Sequence, residues 1–403
     1  MWLIILMCLP EHIRKKRIVK VGVLLIVVGT LLFWWFNFPF KMVSRKLQHF
    51  IHMGHQNDSK TILIWNVPHI KGIKDFGVGR DAFYDQGCDY IQCEILANRS
   101  LRPYEEYDVI LIAFDDFSWP HETDVPTFNR NIAQKFVFLN QESPYTLNLY
   151  HNMHRFPIPF NWTMTYRTDS DIPIPRGRIV PKSSEALTAA QVAFYRKEVS
   201  KRPPVSINKN KTVTWMASYC NTNSQRELYV KELSKYIQID VYGECGNLTC
   251  GRNKFYYSDL ECYEMLESTY KFYLSFEDSI CEDYVTEKFF KIMKHQIVPV
   301  VYGGANYSHH APPHSYIDAR KYKPKELAAY LNLLAANETL YNEYFWWKEH
   351  YRVETGAVEM IRQGLCNLCQ KLYQDPQFSS YADLASRWSD GSQCTTFDPK
   401  WIS

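Results

Sequence analysis

A chain of 403 residues is long enough for two domains of ordinary size. Its composition, 46% hydrophobic and 22% charged, is typical of a globular protein and excludes a largely disordered one. The net charge of +3, without a basic stripe interleaved with aromatic residues, argues against nucleic acid as a partner.

An apolar run over residues 21–40 is the first distinct feature along the chain. A helix of about 20 residues spans the hydrocarbon core of a bilayer. The basic residues that precede the run favour a cytoplasmic N-terminus: Arg14, Lys15, Lys16, Arg17 and Lys20. No small-x-small cleavage site closes the run, so we predict a signal-anchor instead of a cleaved signal peptide. The result is a single-pass type II protein with a cytoplasmic tail (1–20), a transmembrane helix (21–40) and a stem (41–59).

Two further features support a lumenal body. Seven sequons are spread along the chain as candidate glycosylation sites, at Asn57, Asn98, Asn161, Asn210, Asn247, Asn306 and Asn337. Ten cysteines follow the apolar run, an even set that an oxidising compartment would pair: Cys88, Cys93, Cys220, Cys245, Cys250, Cys262, Cys281, Cys366, Cys369 and Cys394. Their spacing leaves the connectivity open. A zinc site at Cys366 and Cys369 is the alternative, but no second pair follows at zinc-finger spacing.

The body begins with continuous apolar runs at residues 61–65, 107–114 and 135–139, which predict buried strands. Continuous runs, as opposed to alternating ones, indicate a parallel sheet covered on both faces. A helix is predicted over residues 184–200, and the Lys-Arg-Pro-Pro segment at 201–204 is a plausible linker, because proline cannot continue a helix.

A second α/β unit follows the linker. We predict strands at 211–217, 238–243, 270–276 and 297–303, with helices at 225–235, 285–295, 324–337 and 340–352. Two such units predict two Rossmann-like domains that face each other across a cleft. Their expected bounds are 60–203 and 204–365, followed by a cysteine-containing C-terminal cap at 366–403.

Common catalytic and nucleotide motifs are missing from the sequence. There is no G-x-G-x-x-G after a strand, no Walker-type loop and no G-x-S-x-G elbow, so nicotinamide, ATP and serine-nucleophile chemistry are not favoured. His309, His310 and His314 lie too close to prolines to share one helix face, and we interpret them as part of a surface loop and not as a metal cluster.

The most informative stretch is residues 270–319. A strand is predicted to end at Phe276, an acidic loop follows, and a helix begins near Thr286, which can cap it. Glu287 is favourable in the first turn of that helix, and Lys288 adds a cationic donor. The end of a strand followed by such a helix is suited to a phosphate group.

This stretch resembles the donor-binding signature of the α1,3-fucosyltransferases, FYLxFENSxCxDYVTEKxF…VPVVxG…NY…APPxSYI. The resemblance continues upstream in residues 217–226, 140–144 and 160–171, and covers the chain from about residue 60 to 370 in family order. It implies a GT-B architecture, with an N-terminal acceptor domain and a C-terminal GDP-fucose domain, in a Golgi membrane enzyme. The expected acceptor is a glycan on a glycoprotein or glycolipid.

The resemblance also implies residue roles. Glu142 matches the proposed general base of an inverting transfer, and the donor-binding positions are Arg226, Tyr284, Glu287 and Lys288. Chemically, a carboxylate must take the proton of the attacking hydroxyl, and cations must stabilise the leaving diphosphate. Glu277 is an acidic group that could favour an oxocarbenium-like sugar.

Asp169 and Asp171 form a D-x-D pattern, but it lies in the predicted acceptor half, within the family's own YRxDSDI pattern. We therefore interpret it as structural or acceptor-contacting, and expect no obligatory metal cofactor, although Mn²⁺ could stimulate turnover. One residue departs from the family pattern: Asp278 replaces the usual Asn and adds negative charge near the diphosphate. Two alternatives stay open, a catalytically silent membrane-anchored glycan-binding protein and a GT-B enzyme that uses another nucleotide sugar.

Overall fold

The computed structural model describes residues 59–66, 71–114, 131–150, 159–250, 260–375, 380–381 and 383–395. The predicted tail and membrane anchor, and the stem except for Ser59, lie outside these residues. Within the part of the chain that is described, no helix combines the length and the apolar character needed to cross a membrane. Lys60–Ser403 forms one compact unit.

The first sheet contains six parallel strands. They are Lys60–Ile64 (β1), Cys93–Leu96 (β2), Val109–Ala113 (β3), Lys135–Asn140 (β4), Trp162–Thr165 (β5) and Ile172–Pro173 (β6), in the order β2-β1-β3-β4-β5-β6. The connecting helices are Lys71–Phe76 (α1), Ala82–Asp85 (α2) and Pro144–Tyr150 (α3), with a 3₁₀ turn at Tyr104–Glu106. Every residue of β3 and β4 is buried, as their continuous apolar sequences predicted.

A short strand, Gly177–Pro181 (β7), and the helix Ala189–Ser200 (α4) lead to the second sheet. Its strands are Lys211–Met216 (β8), Ile239–Tyr242 (β9), Tyr270–Phe276 (β10), Val298–Tyr302 (β11) and Ile317–Asp318 (β12), all parallel, in the order β12-β11-β10-β8-β9. The prediction of an α/β fold with two parallel sheets is confirmed.

Helices and 3₁₀ turns surround the second sheet. The helices are Arg226–Leu233 (α5), Leu260–Thr269 (α6), Glu287–Met293 (α7), Pro324–Ala336 (α8) and Glu338–Asn342 (α9). The 3₁₀ turns are Tyr307–His309, Ala319–Lys321 and Glu343–Glu349. The single helix predicted over residues 340–352 is wrong, because α9 is followed there by the 3₁₀ turn, which buries four aromatic side chains in a row, Tyr344 to Trp347.

After the second sheet the chain returns to the first. Tyr351–Thr355 (β13) pairs antiparallel with β7, and the helix Ala357–Gln374 (α10) buries Ile361, Leu365 and Leu368 in the core of the first sheet. The predicted boundary between residues 365 and 366 is therefore wrong, because it falls inside α10. The apolar face of this helix needs a sheet to cover it, so it belongs to the first half of the molecule. A last helix, Leu384–Ser389 (α11), follows.

Five disulfides join the ten cysteines that follow the apolar run, which confirms that they pair. The bonds are Cys88–Cys366, Cys93–Cys369, Cys220–Cys245, Cys250–Cys262 and Cys281–Cys394. The second bond attaches α10 to β2, and the first attaches it to the loop that precedes β2. The sulfurs of Cys366 and Cys369 are therefore not available as zinc ligands, and the alternative of a zinc site there is wrong.

Candidate active site

The carboxyl ends of the two sheets meet, and the segment between them is an acidic loop formed by residues 277–286, directly after β10. The hydroxyl of Ser279 in this loop lies 2.8 Å from that of Ser143, which follows β4. Cys281 and Tyr284 of the same loop are buried in the hydrophobic cluster of the first half. The acidic loop therefore reaches from the second sheet into the first half of the molecule.

Glu142 lies two residues beyond the end of β4, with 27% of its side chain exposed. Its backbone N–H donates to the side-chain oxygen of Asn140 at 2.8 Å, which turns the chain sharply at the end of the strand. One carboxylate oxygen lies 2.5 Å from a guanidinium nitrogen of Arg176, and the hydroxyl of Tyr284 approaches the other at 3.4 Å. The carboxylate is thus held on both sides and remains partly exposed to solvent.

Glu277 is the first residue after β10 and is fully buried, 0% exposed. One of its carboxylate oxygens accepts the backbone N–H of Thr286 at 2.8 Å, and the other accepts the Thr286 hydroxyl at 2.7 Å and lies 3.3 Å from Lys288 Nζ. Burial raises the pKa of Glu277, although the charge of Lys288 partly opposes this by favouring the ionised carboxylate. In this structure Glu277 thus stabilises the start of α7, and its predicted influence on an oxocarbenium-like sugar stays a prediction.

Thr286 stands at the N-cap position of α7, as predicted, but its side chain makes no capping hydrogen bond. The hydroxyl donates to Glu277 instead. The Glu277 carboxylate supplies the acceptor that the helix N-terminus needs.

Lys288, in the first turn of α7, has 25% of its side chain exposed. Its Nζ lies 3.5 Å from a carboxylate oxygen of Asp278. Burial would lower the pKa of Lys288, but Glu277, Asp278 and Glu287 outweigh it and the pKa is raised. Burial would likewise raise the pKa of Asp278, but Lys288 and Arg226 outweigh it and the pKa is lowered. At neutral pH the residue that departs from the family pattern is therefore an anion paired with Lys288.

Arg226 opens α5 and is only 1% exposed. Its guanidinium donates to the carbonyl oxygens of Phe276 at 2.5 Å and Tyr219 at 3.4 Å. The predicted donor-binding residue is thus turned towards backbone acceptors under the acidic loop, where its charge acts on Asp278.

Tyr284 and Glu287 complete the predicted set. The Tyr284 ring is buried with its centroid 5.0 Å from that of Tyr166, and burial raises its pKa well above the ordinary value. Burial would also raise the pKa of Glu287, but Arg176 and then Lys288 outweigh it, so the pKa is lowered. The structure therefore brings together five of the predicted residues: Glu142, Glu277, Tyr284, Glu287 and Lys288. Arg226 is buried and acts on the acidic loop through its charge.

The carboxylates of the D-x-D pattern bind protein groups. Asp169 makes two hydrogen bonds with Arg167, at 2.8 and 2.9 Å. Asp171 accepts from the backbone and hydroxyl of Thr163 and from the hydroxyl of Tyr381. Their partners differ and each carboxylate stabilises local structure, in agreement with the structural interpretation of this pattern.

The acidic loop is also attached to the first half through Asp283, whose backbone is left-handed at φ 59°. One oxygen of Asp283 accepts from the backbone N–H of Thr168 at 3.0 Å and from the Thr168 hydroxyl at 2.5 Å. The other lies 4.0 Å from a ring nitrogen of the mostly buried His310. Within the described part of the chain, no three His, Cys, Asp or Glu side chains are grouped to hold a metal ion.

The sequons differ in exposure. Asn57 lies outside the described residues, and the exposed ones are Asn98, Asn210, Asn247, Asn306 and Asn337. Asn161 is 0% exposed, and its side-chain oxygen accepts the backbone N–H of Phe136 at 2.8 Å. A glycan on a side chain enclosed between strands has no space, so Asn161 does not fit the prediction of a glycosylation site.

Sequence reasoning missed Arg176, Ser279 and Asp283, which connect the two halves. No local signal could have found Arg176, because Glu142 is 34 residues away along the chain. Ser279 was missed for the same reason, because its partner Ser143 is 136 residues away along the chain.

Comparison with known proteins gives matches over both halves. The family model described as "Fucosyltransferase, N-terminal" matches residues 57–177, and "Glycosyltransferase family 10 (fucosyltransferase) C-term" matches residues 206–388. The chain is 35% identical to "Alpha-(1,3)-fucosyltransferase C" of Drosophila melanogaster, over 84% of this chain and 79% of the relative. It is also 35% identical to "Glycoprotein 3-alpha-L-fucosyltransferase A" of Drosophila melanogaster, over 84% of this chain and 62% of the relative.

A vertebrate relative and a solved structure are similar as well. The chain is 33% identical to "4-galactosyl-N-acetylglucosaminide 3-alpha-L-fucosyltransferase 9" of Bos taurus, over 88% of this chain and 89% of the relative. The structure described as "Crystal Structure of alpha1,3-Fucosyltransferase with GDP-fucose" aligns with a TM-score of 0.47 at 16% identity, and covers 80% of this chain and 93% of that one.

Proposed function

Because this chain belongs to the α1,3-fucosyltransferases of glycosyltransferase family 10, we propose that it transfers L-fucose from GDP-fucose to O3 of a GlcNAc residue in a glycan. The observation that carries the proposal is the accessible carboxylate of Glu142, held at the carboxyl end of the first sheet beside the acidic loop of the second. The name of the Bos taurus relative, a 3-alpha-L-fucosyltransferase acting on an N-acetylglucosaminide, supports O3 of GlcNAc as the acceptor group.

In this mechanism Glu142 is the general base. Its carboxylate takes the proton of the acceptor hydroxyl while that oxygen forms a bond to C1 of fucose. The bond between C1 and the GDP oxygen breaks, and GDP leaves with the electron pair. A single displacement of this kind converts a β-linked donor into an α-linked product. The contacts with Arg176 and Tyr284 favour a fixed direction for the carboxylate.

The donor side is proposed to be the second sheet, in a GT-B arrangement with GDP-fucose bound between the two halves. Lys288 is partly exposed and would stabilise the charge on the leaving diphosphate, and Tyr284 and Glu287 lie beside it on the same segment. Arg226 would act electrostatically from beneath. We propose that no metal is obligatory, with Mn²⁺ as a stimulant at most.

The proposed location is the Golgi membrane, with the body in the lumen and a single signal-anchor at residues 21–40. The five disulfides support an oxidising compartment. The exposed sequons agree with it.

The test is GDP release by the full chain, purified in detergent, from GDP-fucose with N-acetyllactosamine and N-glycan acceptors, in EDTA and in Mn²⁺. We expect turnover in EDTA, and Glu142→Gln should lower kcat by about 100-fold or more. Glu359→Gln is the control, since Glu359 pairs with Arg362 on α10. A Glu142→Gln variant that turns over like the wild type would rule out the base. A folded wild type that binds glycans without transferring fucose would favour the silent binding protein.

A further inference from the structure

Two of the residues assigned to the reaction, Glu142 and Glu287, interact with Arg176, to which sequence reasoning gave no role. We propose that Arg176 is a positioning residue: its guanidinium holds the carboxylate of Glu142 in the direction needed for proton transfer. This inference rests on the proposed role of Glu142 as the base.

The contact with Glu142 is direct. One terminal guanidinium nitrogen of Arg176 lies 2.5 Å from a carboxylate oxygen of Glu142 and 3.3 Å from the carbonyl oxygen of Gln141. The same nitrogen therefore contacts both the side chain of Glu142 and the backbone just before it. With 22% and 27% of the two side chains exposed, the ion pair is partly buried, neither in the core nor on the open surface.

The backbone of Arg176 is fixed on both sides, which lets the side chain act as a rigid support. Before it, the carbonyl oxygen of Ile174 accepts the side-chain N–H of Gln141 at 3.0 Å. The carbonyl oxygen of Arg176 itself accepts the hydroxyl of Thr355 at 2.9 Å. The segment between β6 and β7 is thus tied to the strand end that carries Glu142 and to β13.

The guanidinium also acts on the second half. Burial has the largest effect on the pKa of Glu287 and raises it. The charge of Arg176 has the next largest effect and lowers it, so that the net shift is downward. The charge of Arg176 therefore acts on carboxylates from both halves of the molecule, Glu142 after β4 and Glu287 in α7. Without the guanidinium of Arg176, the carboxylate of Glu142 would lose the ion pair that fixes its direction.

A change that displaces a catalytic group by about 1 Å costs about 100-fold in rate. We expect Arg176→Ala to lower kcat by about that factor while the affinity for GDP changes less than about threefold, because loss of orientation affects the transition state and not donor binding. Arg176→Lys keeps the charge but not the planar fork, and should lower kcat about tenfold.

The experiment compares these variants of the full chain with Arg178→Ala and Glu142→Gln. Arg178 is the matched control, because it lies two residues further on and pairs with Glu354 at 2.6 Å on an exposed surface. Turnover is measured with GDP-fucose and acceptor, and GDP affinity by calorimetry, which also reports folding.

Four outcomes decide the question. A fall in kcat for both Arg176 variants, with GDP affinity kept and Arg178→Ala unaffected, supports the proposal. A kcat of Arg176→Ala equal to that of Arg178→Ala overturns it. If Arg176→Ala does not fold, Arg176→Lys decides: wild-type kcat overturns the proposal, and a tenfold fall supports it. An active Glu142→Gln variant contradicts the proposed role of Glu142 as the base, and this result is distinguished from a failure of the Arg176 proposal because it is measured on a separate variant.

Discussion

The hydroxyl oxygens of Ser143 and Ser279 lie 2.8 Å apart in a buried contact between the loop after β4 and the acidic loop after β10. Ser143 is also 3.0 Å from the hydroxyl of Thr146 in α3, and Ser279 is 3.4 Å from a carboxylate oxygen of Asp278. A continuous path of polar contacts therefore runs from the first half of the molecule to the residue that pairs with Lys288.

Removal of either serine hydroxyl should destabilise the protein. Ser143→Ala and Ser279→Ala are each expected to lower the free energy of unfolding by about 1 kcal/mol, the usual net value of a buried hydrogen bond. The double variant should lose less than the sum, because the shared contact can be broken only once. Denaturant unfolding of all four proteins measures this, and strictly additive losses would show that the two hydroxyls are not coupled.

Replacement of Asp278 by the residue of the family pattern should strengthen donor binding. Asp278→Asn removes a negative charge 3.5 Å from Lys288 and leaves that cation available to the diphosphate of GDP. We expect the affinity for GDP to rise about fivefold, and more at low ionic strength, because the effect is electrostatic. Calorimetry with GDP gives the comparison, with the exposed Asp75→Asn as the control for net charge. Equal or weaker binding by Asp278→Asn would contradict this role.

His314 should make the folded state sensitive to acid. Its ring stacks on Tyr344 with centroids 4.1 Å apart, and burial followed by the charge of Arg196 lowers its pKa to about 4, despite a carboxylate oxygen of Glu343 at 3.6 Å. The unfolded chain, with a histidine pKa of about 6.5, binds the proton more readily. The free energy of unfolding should therefore fall as the pH drops from 6.5 to 4, by about 1–2 kcal/mol between pH 7 and pH 5.

The variant His314→Phe isolates this effect, because it keeps an aromatic ring against Tyr344 and removes the titrating group. Thermal unfolding between pH 5 and pH 7 should show a smaller pH dependence in the variant than in the wild type. His310 has a lowered pKa as well, but it is present in both proteins and cancels in the difference. An identical pH dependence in the two proteins would show that His314 does not contribute.

Much of the fold could be predicted because strands buried in a parallel sheet need continuous apolar sequence. Residues 107–114, 135–139 and 270–276 are such runs, and each becomes a strand. The pairing of β7 with β13 could not be predicted, since both strands are short and only partly buried. The packing of α10 against the first sheet was missed because the sequence of an amphipathic helix shows that it has an apolar face but not which sheet that face covers.

The candidate site divides in the same way. The order and identity of Glu142, Tyr284, Glu287 and Lys288, and the even number of cysteines, follow from the sequence by itself, because motifs and composition are local properties. Only the tertiary structure decided that Arg176 contacts Glu142 and that Cys281 pairs with Cys394. It also decided that Arg226 and Glu277 are buried, because whether a polar side chain meets a ligand or a backbone group depends on how the surrounding elements pack.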